Sequence, residues 1–345
     1  MAELKTDLIC TGCSLLCNDI AVKIENGKIK TTHHVCARGY GRFYQVDFNY
    51  RLRRPLLNEK GQQIEVSYEK ILEETIKLLK NASNPCFYGW ASVTSEAQQK
   101  GIQLAQKYKG IIDSSSTATI GAAVQQFIQK NIEVPTLPEI RDNADILLFW
   151  GSNPTASHIR LLSKYIMLAR GTNTTRGIED RTAITIDIRT TDMTKFSEEI
   201  LYITPGNDKP LLESLIKIIQ GKSFTEDIVA NIPRKTIFNV ANLIKEARFV
   251  VIFFGNGYAK TEENMKTLIQ FLEILKQKGV KFGAIPLDGG YNAVGFNKTL
   301  KNQVDLNLNA DFRENPPKQG QNILIDSLKE NKIDLLFVVG SDPIS

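Results

Sequence analysis

The sequence lacks a long apolar segment, a leader pattern and a basic tract. No apolar run among the 345 residues approaches the roughly 18 residues of a membrane-spanning helix. The first residues, MAELKTDLICTGC, do not have the charged-then-apolar order of a signal peptide. The net charge is only +5, and the lysines are spread along the chain rather than gathered for nucleic acid. We therefore expect a cytoplasmic protein with neither a membrane nor a nucleic acid as its partner.

Two common nucleotide-binding motifs are also missing. The chain contains no GxGxxG and no GxxxxGK[ST] sequence, which excludes the usual dinucleotide fingerprint and the P-loop. Any nucleotide must therefore be held by other loops.

Cysteine is scarce, and four of the five cysteines precede residue 37. In a reducing compartment, clustered cysteines are usually metal ligands rather than disulfides. Cys10, Cys13 and Cys17 share one short loop and Cys36 follows alone. This spacing favours a [4Fe–4S] cluster over a zinc knuckle, which normally pairs two CxxC units. A set of buried structural cysteines is the alternative, and Cys86 is predicted to be a core residue.

Residues 1–55 form a small segment with a predicted hairpin. Alternating stretches at Ile20–Ile24 and Gly27–Thr31 flank an Asn-Gly turn, which is a strong hairpin signal. So small a segment buries little core, and a cluster would stabilise it.

Beyond residue 55 the chain alternates amphipathic helices with short apolar strands. This alternation predicts parallel sheets flanked by helices, and we assign a doubly wound α/β architecture. Four segments follow: 1–55, 56–140, 141–240 and 241–345. The predicted helices are Tyr68–Leu79, Ser95–Lys107, Lys209–Ile219, Glu262–Gln277 and Gln319–Lys329, and the predicted strands are Asp145–Trp150, Ala183–Ile188, Phe249–Phe254, Val280–Pro286 and Asp334–Val339.

Turn-rich loops follow most of these strands. Ligands of open α/β sheets bind at this edge, where glycine lets backbone amides approach phosphate. The loops are Gly151-Ser152-Asn153-Pro154, Gly255-Asn256-Gly257-Tyr258, Leu287–Asn292 and Gly340-Ser341-Asp342-Pro343. A single loop of this kind could be only a tight turn, but four of them favour a ligand crevice.

Several motifs, in order along the chain, resemble those of the B-subunit of formylmethanofuran dehydrogenase, a member of the molybdopterin oxidoreductase superfamily. They cover nearly the whole sequence. The matching segments are Ile9–Ile20, Tyr88–Trp90 with Ser95–Gln98, Trp150–Pro154 with His158, Arg160 and Tyr165, Asp187–Thr190, Pro205–Asp208, Gly289–Asn297 and Gly340–Pro343. Because relatives normally continue beyond the last motif, we expect a truncated or short variant.

The resemblance implies a fold and a set of cofactors. The fold would be a small N-terminal [4Fe–4S] domain followed by doubly wound parallel-sheet domains of the formate dehydrogenase/DMSO reductase type. The cofactors would be the cluster and a molybdopterin guanine dinucleotide with tungsten or molybdenum. The partners would be other subunits of the same kind of complex, including ferredoxin-like electron carriers, in one-carbon metabolism and methanogenesis.

The resemblance also implies roles for particular residues. The loops Gly151–Pro154 and Gly340–Pro343 would offer amides to pyrophosphates, and Arg38 would lie between cluster and pterin. The other residues that it assigns to the cofactor are Asp187, Arg189, Thr190, Asp208, Gly255, Asn256, Gly257 and Asn292. For Asp187 the alternative is a carboxylate that caps the next turn.

The match fails at the reacting centre. Thr119 stands where the family has the metal-ligating cysteine or selenocysteine, and Ile120 replaces the following histidine. Asp288 replaces an arginine and Gly290 a histidine. A threonine hydroxyl is a poor ligand for a soft metal, isoleucine transfers no proton, and aspartate repels a carboxylate that arginine would bind.

Two functions therefore remain open. One is reversible CO2 reduction to formate at a molybdenum or tungsten bis-pterin site, with electrons from the cluster. The other is a catalytically silent scaffold or electron-relay subunit, as in formyltransferase/hydrolase complexes. The three kinds of substitution weigh against ordinary formate chemistry.

Overall fold

The computed structural model describes residues 2–47, 51–132, 134–259, 261–288, 290–320 and 322–342. The chain divides into two compact units. One comprises Met1–Thr117 with Gly290–Ser345, and the other comprises Ala118–Gly289. The division into four segments stays a prediction.

Sixteen strands are found in the described residues. In chain order they are β1 Ala2–Leu8, β2 Ile20–Glu25, β3 Lys28–His33, β4 Leu56–Glu59, β5 Gln62–Glu65, β6 Pro85–Gly89, β7 Ile111–Ser114, β8 Ile146–Trp150, β9 Thr182–Asp187, β10 Glu199–Tyr202, β11 Ile228–Val229, β12 Ile232–Pro233, β13 Phe249–Phe254, β14 Lys281–Pro286, β15 Ala310–Asp311 and β16 Leu335–Val339. All five predicted strands are confirmed, with ends that differ by a residue or so.

The same ranges contain thirteen α-helices. They are α1 Ala37–Tyr44, α2 Tyr68–Asn81, α3 Ser95–Lys107, α4 Ala122–Gln129, α5 Leu137–Asn143, α6 Pro154–Ser157, α7 Arg160–Lys164, α8 Asp208–Ile219, α9 Arg234–Glu246, α10 Asn256–Ala259, α11 Glu262–Gln277, α12 Ala293–Val304 and α13 Ile323–Lys329. A π-helical turn, Thr117–Gly121, leads into α4. Among the helices described, none has the length and apolar character needed to span a bilayer.

The first unit begins with an antiparallel three-stranded sheet. Its order is β1-β2-β3, and Asn26 and Gly27 at the β2–β3 turn both have positive φ angles, 52° and 72°. Positive φ at both positions is what an Asn-Gly turn provides in a tight hairpin. The predicted hairpin is therefore confirmed.

The same unit contains a four-stranded sheet of order β15-β7-β6-β16. Strands β6, β7 and β16 are parallel, and the two-residue β15 runs antiparallel to β7. The core beside this sheet includes Phe87, Ile102 and Phe296, all without exposed surface. Cys86 is fully buried, as predicted.

The second unit is built on a five-stranded, fully parallel sheet. Its order is β10-β9-β8-β13-β14. The chain moves outward from β8 to β10 and then returns to the other side of β8, which is the order reversal of a doubly wound sheet. Every residue of β8 and β13 is buried, so both faces are covered.

Helix capping explains why several helix boundaries were predictable. Thr94 accepts a hydrogen bond from the Ala97 amide at the start of α3, and Thr261 accepts one from Asn264 at the start of α11. These side chains satisfy amides that a helix leaves unpaired at its N-terminus. The predicted bounds of both helices are confirmed.

Candidate functional site

The cysteine loop is closed by backbone contacts and lies against α1. Cys10 donates an amide hydrogen bond to the carbonyl of Cys17 over 2.9 Å. Cys10, Cys13 and Cys17 are buried, while Cys36 is partly buried and is the N-terminal cap residue of α1. The fold therefore places the lone fourth cysteine immediately before the helix that packs beside the loop.

Small residues surround the sulfur of Cys10. A Cβ atom built on Gly39 would lie 3.1 Å from this Sγ atom, and one built on Gly12 would lie 3.3 Å from it. The amide of Gly12 donates to the same sulfur over 3.4 Å. Glycine at both positions leaves room beside the thiol.

The thiols of the loop influence one another. Burial raises the pKa of Cys13, the amide of Leu15 opposes this rise, and the neighbouring Cys36 and Cys10 contribute to it, whereas Arg38 lowers it. Each of the five cysteines lies in the described residues, and none of them is in a disulfide. Arg38 itself is exposed.

The described residues contain no group of three His, Cys, Asp or Glu side chains suited to a single metal ion. A cubane cluster requires a different ligand geometry from a single metal ion, because each of its four thiolates binds a different iron atom. The cluster thus stays a prediction from spacing and thiolate chemistry.

The order reversal of the parallel sheet lies between two glycine loops. Gly151 follows β8 with φ at +54°, and a Cβ on Gly255 after β13 would come within 2.2 Å of the Gly151 carbonyl oxygen. Ser152 Oγ donates to the carbonyl of Phe253 over 2.8 Å. Only glycine permits this approach, so the two loops meet at the edge where such sheets bind ligands.

The remaining residues of these two loops differ in exposure. Pro154 is buried at the first position of α6, whereas Asn256 and Gly257 are exposed on α10. Asn153 is partly exposed. Tyr258 is buried and donates from its hydroxyl to the carbonyl of Asn264 over 2.9 Å.

Two carboxylates predicted for the cofactor lie near the same edge. Asp187 ends β9 and accepts the amide of Arg189 over 3.2 Å, so the capping role considered for it is present. Asp208 accepts Trp150 Nε1 over 2.7 Å. Burial raises the pKa of Asp208, the Trp150 hydrogen bond opposes this, and the charge of Asp187 adds to it. The two carboxylates are therefore close enough to interact.

Arg189 and Thr190 extend from the same loop into solvent. Both are exposed, and Thr190 Oγ1 is 3.1 Å from the hydroxyl of Tyr202. Their side chains are accessible to a ligand.

The fourth predicted loop belongs to the other unit. Gly340 follows β16 with φ at +62°, and a Cβ there would lie 2.8 Å from Val93. Ser341 is partly exposed and Asp342 is exposed. Pro343 lies outside the described residues. The four loops thus divide between two sheets, three of them on the second unit's sheet.

Asn292 ties its own loop together. Its Nδ2 atom donates to the carbonyl of Val93 over 2.8 Å, and its amide donates to the carbonyl of Ala91 over 2.8 Å. Gln98, which is fully buried, donates to the carbonyl of Asn292 over 3.0 Å. These contacts give Asn292 a structural role beside the predicted one.

Two of the four positions that the sequence analysis assigns to the reacting centre bond to each other. Thr119 Oγ1, in the π-helical turn, donates to Asp288 Oδ1 over 3.0 Å. Ile120 is 2% exposed. Residues 119 and 288 are far apart in the chain, so the fold brings these two of the four predicted positions together.

Gly290, the last of the four substituted positions, belongs to the first unit. A Cβ built on it would lie 2.7 Å from Ala91 Cβ and 2.9 Å from Ser116 Oγ. The space that a histidine side chain would need is occupied by these neighbours.

Sequence reasoning missed one titratable residue, Asp113. It lies in β7 with 4% of its surface exposed and accepts the amide of Ser114 over 2.8 Å. Burial raises its pKa to about 6, while the side chains of Thr117 and Asn309 oppose the rise. The only signal in the sequence that could have identified Asp113 as a candidate is its position near a strand end, before the turn that carries Thr119.

Named relatives match almost the full length of the chain, although no family model matches it. The chain is 31% identical to the B-subunit of the tungsten-containing formylmethanofuran dehydrogenase 2 of Methanocaldococcus jannaschii, and 33% identical to the protein of that name from Methanococcus maripaludis. Each match spans 99% of this chain and 80% of the relative.

The fold also resembles a solved structure. A chain of the formyltransferase/hydrolase complex (FhcABCD) from Methylorubrum extorquens, in complex with methylofuran, superposes with a TM-score of 0.66. The superposition covers 84% of this chain and 77% of that one at 14% sequence identity. At this identity the likeness concerns the fold alone.

Proposed function

This chain belongs to the B-subunit family of formylmethanofuran dehydrogenases, and from that premise we propose that it is an electron-relay and cofactor-carrying subunit without formate chemistry of its own. The hydrogen bond between Thr119 and Asp288 carries the proposal. Both residues replace groups that the family uses at the metal and the substrate, and here they bond to each other.

The donor set at this position does not fit tungsten or molybdenum. The Thr119 hydroxyl keeps its proton near neutral pH and donates it to Asp288, whereas soft metals favour thiolate. The carboxylate of Asp288 repels an anion such as formate, which an arginine would bind with two hydrogen bonds. Ile120 has no group that transfers a proton. Ligand, substrate clamp and acid–base group are lost together, so we derive no catalytic step there.

The four cysteines do fit a [4Fe–4S] cluster. Cys10, Cys13, Cys17 and Cys36 supply four thiolates from one loop and one helix start. The cluster would supply one-electron transfer when bound. Gly12 donates its amide to the Cys10 sulfur, and hydrogen bonds to ligating sulfurs tune the potential of such centres.

The glycine loops fit the phosphates of a pterin dinucleotide. Gly151 and Gly255 let their two loops approach each other closely at the order reversal of the sheet, and backbone amides at this edge suit a pyrophosphate. Asp187 would accept hydrogen bonds from a guanine or ribose, with Arg189 beside it. Gly340, Ser341 and Asp342 would serve a second dinucleotide in the same way.

The partners follow from the same premise. The similar relatives are named as subunits, and the structural neighbour is part of a complex. We propose that this chain assembles with other subunits of that type, including ferredoxin-like electron carriers, in the cytoplasm.

Metal and cofactor analysis of anaerobically purified protein tests the proposal. About four irons per chain are expected for one cluster, with no stoichiometric tungsten or molybdenum and no viologen reduction by formate. Thr119→Cys combined with Asp288→Arg provides the matched comparison, because it restores both family residues at the bonded pair. Stoichiometric tungsten together with formate turnover in the unaltered chain would overturn the proposal. Zinc in place of iron would overturn the relay.

A further inference from the structure

Helix α2 leaves most of its apolar side chains exposed. It comprises Tyr68–Asn81, begins after the capping residue Ser67, and has apolar residues three and four positions apart. This spacing gives a surface helix one apolar face, which normally packs on the core. Leu79 is the one buried residue of α2, all of whose residues are described. The helix therefore has an apolar face that the rest of the described protein leaves largely uncovered.

Three of the exposed apolar residues form one row along α2. Tyr68 is 67% exposed, Leu72 is 58% exposed and Ile76 is 46% exposed. Each is four positions from the next, so their side chains lie on neighbouring turns of the same side of the helix. We call these three residues the α2 stripe. Single exposed apolar residues are ordinary on a protein surface, whereas a continuous row of them is typical of a contact with another protein.

The two ends of the α2 stripe are flanked by opposite charges. Glu69 in the first turn and Lys80 in the last turn are both exposed. They are eleven positions apart in the sequence, which is close to three full turns, so both lie on the same side of the stripe. Lys70 and Lys77 instead pair with Glu74 over 2.9 and 3.9 Å. Their charges are therefore balanced within the helix.

We propose that the α2 stripe docks a second copy of this chain, with the two α2 helices side by side and antiparallel. A two-fold axis near residue 74 places Leu72 of each copy opposite Ile76 of the other, as a self-complementary contact requires. The same axis brings Glu69 of each copy beside Lys80 of the other. A parallel pair would place Glu69 beside Glu69 and Lys80 beside Lys80, and such like-charge contacts are unfavourable.

The charges of α2 favour a second copy over a lipid surface. The helix contains three acidic and three basic residues and is therefore neutral, whereas helices that lie on anionic membranes are rich in lysine and arginine on the polar face. The arrangement of one acidic and one basic end matches its own reverse. The inference goes beyond the proposed relay and is independent of it, because α2 contains none of the cysteines.

Sedimentation velocity of the full chain in reducing buffer, over a wide range of protein concentration, tests the inference. Leu72→Gln removes an apolar side chain from the α2 stripe. Leu78→Gln is the matched control, because Leu78 is on the same helix and 56% exposed, but lies about a third of a turn around the helix from Leu72. Leu72→Gln should weaken dimerisation on the order of 10-fold, since each dimer loses two packed leucines. The control should dimerise like the unaltered chain.

A charge exchange tests the antiparallel arrangement. Lys80→Glu should weaken the dimer at low salt, because it places two carboxylates side by side, and salt should reduce this difference. Adding Glu69→Lys to the same chain restores the opposite charges, so the double variant should dimerise more tightly than Lys80→Glu alone. Urea unfolding of every variant at low protein concentration shows whether its fold is intact.

Four results would overturn the inference. The first is an unaltered chain that stays monomeric at every concentration, and the second is equal weakening by Leu72→Gln and Leu78→Gln. The third is a double charge variant that dimerises no better than Lys80→Glu. The fourth is flotation of the unaltered chain with phosphatidylglycerol vesicles that Leu72→Gln abolishes, because the α2 stripe would then bind lipid.

Discussion

Replacing Asp113 by asparagine should change how stability depends on pH. The side chain is 4% exposed, and burial raises its pKa from 3.8 to about 6. Burial has this effect because an ionised carboxylate is poorly solvated in the protein interior. Asparagine keeps the shape and an acceptor oxygen for the Ser114 amide but cannot ionise.

The sign and size follow from proton linkage. Between pH 3.8 and about 6 the folded state holds a proton that the unfolded state has lost. The stabilising contribution of the neutral acid is therefore complete below pH 3.8 and is lost as the pH rises through about 6. The difference between the two pKa values corresponds to about 3 kcal/mol at neutral pH.

Urea unfolding of both proteins from about pH 4 to about pH 8 measures this effect. The stability of Asp113→Asn should rise relative to the unaltered protein by about 2.4 kcal/mol between about pH 4 and about pH 8, with most of the change below about pH 7. A difference between Asp113→Asn and the unaltered protein that stays constant with pH would refute the reasoning.

Three further substitutions have defined outcomes. Gly290→Ala should destabilise the protein by about 1–3 kcal/mol, because its Cβ meets Ala91 Cβ at 2.7 Å and packed neighbours resist such crowding; urea titration measures the loss. Trp150→Phe should cost about 1–3 kcal/mol near neutral pH, because it leaves the buried Asp208 carboxylate without its indole donor, and the loss should be smaller in acid, where that carboxylate is protonated. Gly255→Ala should lower both the melting temperature and the amount of dinucleotide retained on purification, because the added methyl meets a backbone carbonyl oxygen at 2.2 Å. Unchanged urea stability of Gly290→Ala, an unchanged melting temperature of Gly255→Ala, or an equal loss for Trp150→Phe at all pH values would contradict these expectations.

The strands were predictable because burial on both faces leaves a continuous apolar run. Phe249–Phe254 has this pattern and is β13 with the predicted bounds. The predicted helix Gln319–Lys329 begins instead at Ile323. Gln319 Oε1 accepts the amide of Asn307 over 3.0 Å, and the amide of Gly320 donates to Asn309 over 3.0 Å. These contacts hold the preceding residues outside the helix, and apolar spacing carries no signal for them.

The candidate site was predictable only where its determinants are local. The spacing of four cysteines near the N-terminus is visible in the sequence. The bond between Thr119 and Asp288 joins residues 169 positions apart, so its formation depends on the complete fold. The raised pKa of Asp113 likewise arises from burial, and this burial cannot be inferred from the position of one residue at a strand end. Three of the four glycine loops follow strands of the same sheet. The sequence could not show that the Gly340 loop follows a strand of a different sheet.

The cysteine loop depends on local contacts, whereas the bond between Thr119 and Asp288 depends on the complete fold. The proposed electron relay can therefore be kept when the proposed metal chemistry is lost. The cysteine loop is held by the contact between Cys10 and Cys17 and by the docking of α1, which Tyr44 ties to β3. None of these contacts involves residue 119 or 288. Changes at residues 119 and 288 should therefore leave the four cysteines of the proposed cluster in place. Restoring cysteine at 119 and arginine at 288 should consequently leave the iron content unchanged, even if it creates a binding site for tungsten.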